Sequence, residues 1–230
     1  ANIGYLLVIG GDDTAYAAYR VARYAQEHMD ADIQVAHAPK TIDNDLPLPE
    51  EINTFVHDYT LKAGAVPAPL HYGADPSRGI PPFPKSVCTS VNEVICHGIP
   101  SRDEVLKEGD IVNIDVTSIL DGFHGDTSRT FIVGEATPEV TKLVEVTEAC
   151  MLRGIRSVRP GGRVRDIGTT IQEYAESFGY SVVREYVGHG IGRSFHEPPQ
   201  IPHYRARGPN PRLMPGMVFT VEPMINLGAP

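Results

Sequence analysis

The chain has 230 residues, of which 41% are hydrophobic, and this is enough apolar surface for the core of an ordinary globular protein. Its formal net charge is −9 at pH 7 and its sequence has no Lys/Arg cluster, which argues against a nucleic-acid partner. No apolar run approaches the ~18 residues of a membrane span, and three cysteines without a disulfide pattern indicate reduced thiols, so we expect a cytoplasmic protein without a membrane partner.

The first part of the chain alternates between strand-like and helix-like patterns. Apolar runs at residues 5–9 and 33–36 flank an amphipathic stretch at residues 15–28. This alternation predicts a βαβ unit. Three prolines that follow it interrupt regular structure, so we divide the chain into a fragment of residues 1–49 and a domain of residues 50–230.

The larger domain has the pattern of an α+β protein. Apolar residues at helical spacing predict three helices, over residues 51–62, 138–158 and 164–178. Apolar or alternating runs predict five strands, over residues 87–96, 111–120, 130–133, 182–187 and 217–225. A stretch rich in Pro and Gly at residues 66–84 predicts a loop. We expect a mixed antiparallel sheet with helices on one face.

Two carboxylates belong to neighbouring segments of the predicted sheet. Asp115 lies inside an apolar strand, and Asp126 follows it across an Asp121-Gly122 turn. A hairpin through this turn would bring the two side chains together. A carboxylate in an apolar strand is costly unless a cation or hydrogen bonds neutralise it, and a divalent metal ion would relieve the repulsion between two of them.

Two further candidate ligands lie where a predicted strand meets a loop. His189 is surrounded by glycines in the segment GHGIG, and Glu222 precedes Pro223. Carboxylates with one imidazole form a donor set that suits manganese, iron, cobalt or zinc. Each residue alone is equally consistent with a turn aspartate, a core histidine or a capping glutamate. The residues by themselves therefore leave both a metal hydrolase and a set of ordinary polar side chains open.

The segment KSVCTSVNEVICHGIP at residues 85–100 closely resembles type I methionine aminopeptidases. The resemblance continues through residues 110–131, 188–198 and 215–225. It implies the pita-bread (creatinase/aminopeptidase-like) fold and a cytoplasmic metallopeptidase hydrolase that removes the initiator methionine from a peptide or nascent polypeptide. We expect such a protein to be a monomer.

The resemblance also implies roles for individual residues. Four match metal ligands: Asp115, Asp126, His189 and Glu222. Three match catalytic residues: His97 at the substrate amide, His196 at the carbonyl oxygen, and Glu222 as general base. Six match substrate-binding positions at or near an apolar methionine pocket: Tyr72, Phe83, Cys88, His97, Phe195 and His196.

The sequence departs from the family pattern in two places. The family has a further glutamate ligand some tens of residues beyond Glu222, and the sequence stops at Pro230. We therefore expect an incomplete fold in which only one of the two divalent ions of the family binds well, with low or absent activity. The second departure, a longer loop at residues 74–82, is interpreted as a surface insertion.

Residues 1–49 resemble a different family, the pyrophosphate-dependent phosphofructokinases, through IGGDDT at residues 9–14 and PKTIDNDLP at residues 39–47. Four residues would match its site: Asp12 and Asp45 as magnesium-associated acids, Asp43 as base and Lys40 as phosphate contact. The remainder of such a site is missing from the sequence. A phosphofructokinase fragment and a non-catalytic chimera of two fragments are therefore the alternatives to the aminopeptidase.

Overall fold

The computed structural model describes residues 48–229 and the backbone of two strands closer to the N-terminus. These strands, β1 (Tyr5–Gly10) and β2 (Gln34–Pro39), pair in parallel. Parallel pairing confirms the strand arrangement of the predicted βαβ unit. The helix predicted over residues 15–28 lies outside the described residues.

The chain divides into two compact units, Ala1–Glu135 and Ala136–Pro230. The domain boundary expected after residue 49 is a different division, and it stays a prediction. Each unit has its own buried apolar cluster.

The N-terminal unit is built on a four-stranded antiparallel sheet. Its centre is a hairpin of β5 (Ile111–Leu120) and β6 (Phe123–Ile132), which pair along their whole length. Asp121 and Gly122 connect them with φ values of 52° and 77°, and two consecutive positive φ angles match the right-handed twist of paired strands. Two short strands, β3 (Val66–Pro67) and β4 (Cys88–Val91), pair with the other edge of β5.

One helix covers this sheet. Helix α1 (Pro49–Lys62) begins with a proline and two acidic residues and ends with a lysine, as the helix dipole favours. Its Ile52 is buried and packs with Val87, Val112 and Val116 of the sheet region in one apolar cluster. This cluster lies on the face of the sheet opposite to the face that carries Asp115.

The C-terminal unit contains two helices that pack on each other. They are α2 (Pro138–Ser157) and α3 (Val164–Glu176). Ile167, Ile171 and Ala175 recur every four residues on α3 and are fully buried, which is a spacing that places them on one helix face. Gly154 of α2 lets the helices approach, since a β-carbon there would lie 2.6 Å from Ile171 Cδ1. Within the described part of the chain, no helix has both the length and the apolarity to cross a membrane.

The remaining strands of this unit are short. They form two antiparallel pairs, β7 (Ser181–Val182) with β10 (Ile225–Asn226) and β8 (Gly188–Gly190) with β9 (Glu197–Ile201). A register irregularity falls between His189 and Gly190. Such irregularities redirect side chains next to functional sites.

Several predicted strands have the wrong extent. The strand expected over residues 87–96 stops at Val91, because Asn92 turns the chain with a φ of 50°. The strand expected over residues 130–133 is only the end of β6. The strands expected over 182–187 and 217–225 are reduced to the β7–β10 pair, because the rest of these segments makes single backbone hydrogen bonds, such as Thr220 N–H to the His189 carbonyl at 2.9 Å.

Candidate functional site

In the N-terminal unit, the sheet register places several candidate residues on one face. Asp115 is opposite Cys88 on β4, and Thr117 is opposite Asp126 on β6. Side chains directly across a strand pair share a face, and so do residues two apart along one strand. Asp115, Thr117, Asp126 and Cys88 therefore share this face, and the predicted hairpin that joins the segments of Asp115 and Asp126 is confirmed.

The electrostatics of this face follow from the two carboxylates. Burial, then the charge of Asp115, and then Cys96 and Asp126 raise the pKa of the Cys88 thiol to about 12. Cys88 is consequently a neutral, soft apolar group and not a thiolate ligand. The buried hydroxyl of Thr117 donates a hydrogen bond to Asp126 Oδ1 at 2.9 Å. This bond fixes the direction of one carboxylate oxygen.

His97 lies on the loop that follows β4, in a left-handed backbone conformation with φ of 55°. Two hydrogen bonds hold the loop at the next residue, since Gly98 N–H donates to Ser90 Oγ at 3.1 Å and the Gly98 carbonyl accepts from Thr89 N–H at 3.0 Å. Desolvation lowers the pKa of His97, and the charge of Asp126 opposes this shift. The imidazole is therefore biased toward its neutral form.

In the C-terminal unit, His189 and Glu222 are neighbours. His189 is buried, and its Nδ1 lies 3.0 Å from the Gly190 carbonyl oxygen. A carbonyl only accepts hydrogen bonds, so the proton is on Nδ1 and Nε2 is the nitrogen that can bind a cation. Nε2 lies 3.6 Å from Glu222 Oε1. This separation is compatible with two ligands of one ion, since bonds from nitrogen or oxygen to zinc are ~2.0–2.2 Å long.

His196 and Phe195 lie on the loop between β8 and β9. The ring centroids of His189 and His196 are 4.2 Å apart, and Phe195 stacks on His196 at 4.5 Å. Glu197 Oε1 accepts a hydrogen bond from Ser194 N–H at 2.8 Å and so closes the loop. The structure thus brings His196 and Phe195 to the candidate ligand His189.

Tyr72 and Phe83 mark the two ends of the longer loop in the N-terminal unit. Their backbones pair, since Phe83 N–H donates to the Tyr72 carbonyl at 2.8 Å. Inside the loop, Asp75 caps a short 3₁₀ turn (Pro76–Arg78) through Ser77 N–H at 3.1 Å. Most side chains of residues 74–82 are exposed, and the interpretation of this segment as an insertion stays a prediction. The part of Tyr72 and Phe83 in substrate binding stays a prediction.

Sequence reasoning missed three residues that support the candidate ligands: Thr117, Thr220 and His203. Thr220 Oγ1 donates a hydrogen bond to Glu222 Oε1, and His203 Nε2 accepts one from Glu222 N–H at 3.1 Å. The two threonines could have been noticed in the sequence, because each stands two residues from a candidate carboxylate. His203 carried none, since a histidine in the apolar context Ile201-Pro202-His203 resembles any core residue.

The four phosphofructokinase-like residues, Asp12, Lys40, Asp43 and Asp45, lie outside the described residues. Their assignment stays a prediction.

The sequence and the fold both match those of known proteins. Residues 48–229 match the model of metallopeptidase family M24, which is most of the chain. The chain therefore belongs to metallopeptidase family M24. An X-Pro aminopeptidase from Thermotoga maritima, 18% identical with a TM-score of 0.60 over 94% of this chain and 64% of that one, shares its fold. The predicted pita-bread fold is confirmed.

Within this family, the similarity is to methionine aminopeptidases. Methionine aminopeptidase A of Synechocystis is 57% identical over 178 residues, which are 77% of this chain and 67% of that protein. The crystal structure of methionine aminopeptidase from Rickettsia prowazekii is 46% identical with a TM-score of 0.74, over 94% of this chain and 81% of that chain. The chain spans about two thirds of the length of the curated relatives it matches.

Proposed function

We propose that this protein is a metal-dependent aminopeptidase that removes the N-terminal methionine from peptides or nascent polypeptides. The family membership supports a metallopeptidase, and the relatives named above support methionine as the residue removed. The proposed site residues are those predicted from the sequence.

One observation carries this proposal. His189 Nε2 and Glu222 Oε1 lie 3.6 Å apart in the C-terminal unit, which is compatible with two ligands of one cation. Two carboxylates and one neutral imidazole are a donor set for a divalent cation such as cobalt, manganese, iron or zinc. We assign Asp126, His189 and Glu222 as ligands of one cation that binds well, and Asp115, on the same sheet face as Asp126, as a ligand of a second cation that binds more weakly.

The side chains of this chain have distinct proposed roles. When bound, a divalent cation supplies Lewis acidity toward a peptide carbonyl and lowers the pKa of water. Glu222 accepts the proton of the attacking water as general base. His97 donates a hydrogen bond to the substrate amide and His196 one to the carbonyl oxygen, roles that each need one N–H group.

The methionine side chain needs an apolar, polarisable pocket. Cys88 suits this role because its raised pKa keeps the thiol neutral, and Phe195 offers an aromatic face beside His196. We assign Cys88 and Phe195 to this pocket, together with Tyr72 and Phe83. We also propose a cytoplasmic protein, since the three cysteines have free thiols, and a monomer, as the family resemblance implies.

The test is metal-dependent release of methionine from the peptide Met-Ala-Ser. Protein stripped with EDTA should be inactive and should regain activity with manganese or cobalt, whereas Asp126→Asn should stay inactive. N-acetylated Met-Ala-Ser is the control, because an aminopeptidase requires a free amino terminus. Equal release with and without metal would refute the proposal. Pyrophosphate-dependent phosphorylation of fructose 6-phosphate would instead favour the alternative assignment.

A further inference from the structure

Thr220 links the two candidate ligands of the C-terminal unit through one hydroxyl group. The backbone N–H of His189 lies 3.0 Å from Thr220 Oγ1, and Thr220 Oγ1 is also hydrogen-bonded to Glu222 Oε1. The backbones of Thr220 and His189 are joined as well, since Thr220 N–H donates to the His189 carbonyl at 2.9 Å. One side chain therefore connects the backbone of one candidate ligand to the carboxylate of the other.

The direction of both hydrogen bonds is fixed by chemistry. The His189 amide can only donate, so Thr220 Oγ1 accepts from it. An ionised Glu222 carboxylate can only accept, so the single hydroxyl proton of Thr220 points to Oε1. A hydroxyl at residue 220 meets both requirements, and an apolar side chain of the same shape meets neither.

The surroundings leave this hydroxyl little freedom. A β-carbon at Gly188 would lie 2.6 Å from the Thr220 carbonyl oxygen and 3.1 Å from Thr220 Oγ1, so the chain approaches Thr220 closely from that side. From another side, the buried His203 holds the backbone of Glu222 through its Nε2 at 3.1 Å. Glu222 is thus held at its amide by His203 and at its carboxylate by Thr220.

We infer that Thr220 is a positioning residue that sets the carboxylate of Glu222 at a fixed distance from the imidazole of His189. This inference rests on the proposed function, in which both residues bind one cation. Without the hydroxyl proton, the carboxylate loses one of the bonds that orient it, and ordering it around a cation then costs more free energy. Hydrogen bonds that orient metal ligands typically change metal affinity by about 10–100-fold.

The first experiment measures the affinity of the apoprotein for manganese by isothermal titration calorimetry. Thr220→Val keeps the shape and loses the hydroxyl, and we expect its Kd to rise about 10–100-fold. Thr220→Ser keeps the hydroxyl and should bind nearly as the parent does. Thr170→Val is the matched control, because Thr170 Oγ1 donates to the Asp166 carbonyl within helix α3 at 2.8 Å and should leave the Kd unchanged.

Two outcomes of the titration overturn the inference: an unchanged Kd in Thr220→Val, or an equal loss in the valine and serine variants. Thr220→Ala replaces the valine variant if near-ultraviolet circular dichroism shows that the latter is not folded. A parent protein that binds no manganese contradicts the proposed function, and a second measurement then decides on Thr220.

The second measurement does not need a metal ion. Crystal structures of the apo forms should show Glu222 in one rotamer, with Oε1 on the residue-220 hydroxyl, in the parent and in Thr220→Ser. In Thr220→Val, Glu222 should turn away or adopt several rotamers. An unchanged, single Glu222 rotamer in Thr220→Val overturns the inference whether or not the parent binds metal.

Discussion

Gly98 offers a sharp test of how the His97 loop is held. A β-carbon at residue 98 would lie 2.1 Å from the carbonyl oxygen of Thr89 and 2.9 Å from Ser90 Cα, both of them backbone atoms. Ordinary van der Waals contact starts at 3.4 Å, so Gly98→Ala must move the loop away from β4 by at least about 1.3 Å. Neither backbone atom can rotate aside as the end of a side chain would.

This movement should separate the proposed role of His97 from metal binding. A displacement of 1 Å at a catalytic group can cost about a hundredfold in rate, so we expect kcat/KM for Met-Ala-Ser to fall by about that factor. Manganese affinity should not change, because the loop carries none of the proposed ligands. Overpacking should lower the free energy of unfolding by about 1–3 kcal/mol, which a protein with ordinary stability survives.

The assay combines peptide hydrolysis with calorimetry on the same preparation. Gly228→Ala is the matched control, because a β-carbon there meets no atom within 4 Å and the residue has no positive φ. If folded Gly98→Ala cleaved the peptide as fast as the parent, the position of this loop, and of His97 on it, would not matter for catalysis. If it lost manganese affinity instead, the loop would belong to the metal site.

Three further predictions follow from burial. Ile171→Ala should lower the free energy of unfolding by about 2–5 kcal/mol in denaturant titrations, because Ile171 is fully buried where the two helices pack. Ile155 is 46% exposed, so Ile155→Ala should have little effect. Burial lowers the pKa of His203 from 6.5 to about 3. Between pH 6.5 and pH 3, His203 is therefore protonated in the unfolded chain and neutral in the folded apoprotein. The contribution of His203 to the free energy of unfolding should therefore be constant above pH 6.5 and should fall by a few kcal/mol toward pH 3. His203→Gln should make the free energy of unfolding depend less on pH in this range. Iodoacetamide at pH 8 should modify Cys88 far more slowly in the folded protein than in urea, since a pKa of about 12 leaves little thiolate; equal rates would contradict its burial.

The helices and the central hairpin could be predicted because their signals are local. Ile167, Ile171 and Ala175 show the helical period directly, and the Asp121-Gly122 turn selects the hairpin. Strand β9 (Glu197–Ile201) could not be found this way, because Pro198 and Pro199 argue against a strand. Its pairing with β8 depends on a partner segment that no local pattern identifies.

The candidate site likewise contains some residues that local sequence signals locate and others that they do not. Asp115 and Asp126 could be placed on one sheet face, because the register of a hairpin follows from its turn. The proximity of His189 to Glu222 could not be deduced from spacing, since these residues belong to different short segments joined by single hydrogen bonds. There the family resemblance supplied what periodicity did not.

The two threonines show that a residue whose hydroxyl orients a carboxylate can be found close to an acidic residue in the sequence. Thr220 stands two residues before Glu222 in a segment without regular secondary structure, and its hydroxyl reaches the Glu222 carboxylate along that segment. Thr117, two residues after Asp115, instead reaches across the hairpin to Asp126. Both hydroxyls give their only proton to a carboxylate oxygen, which leaves the remaining lone pairs of that carboxylate for a cation. A threonine two residues from an acid is therefore a feature to examine when ligands are sought from sequence, even though its own side chain binds no metal.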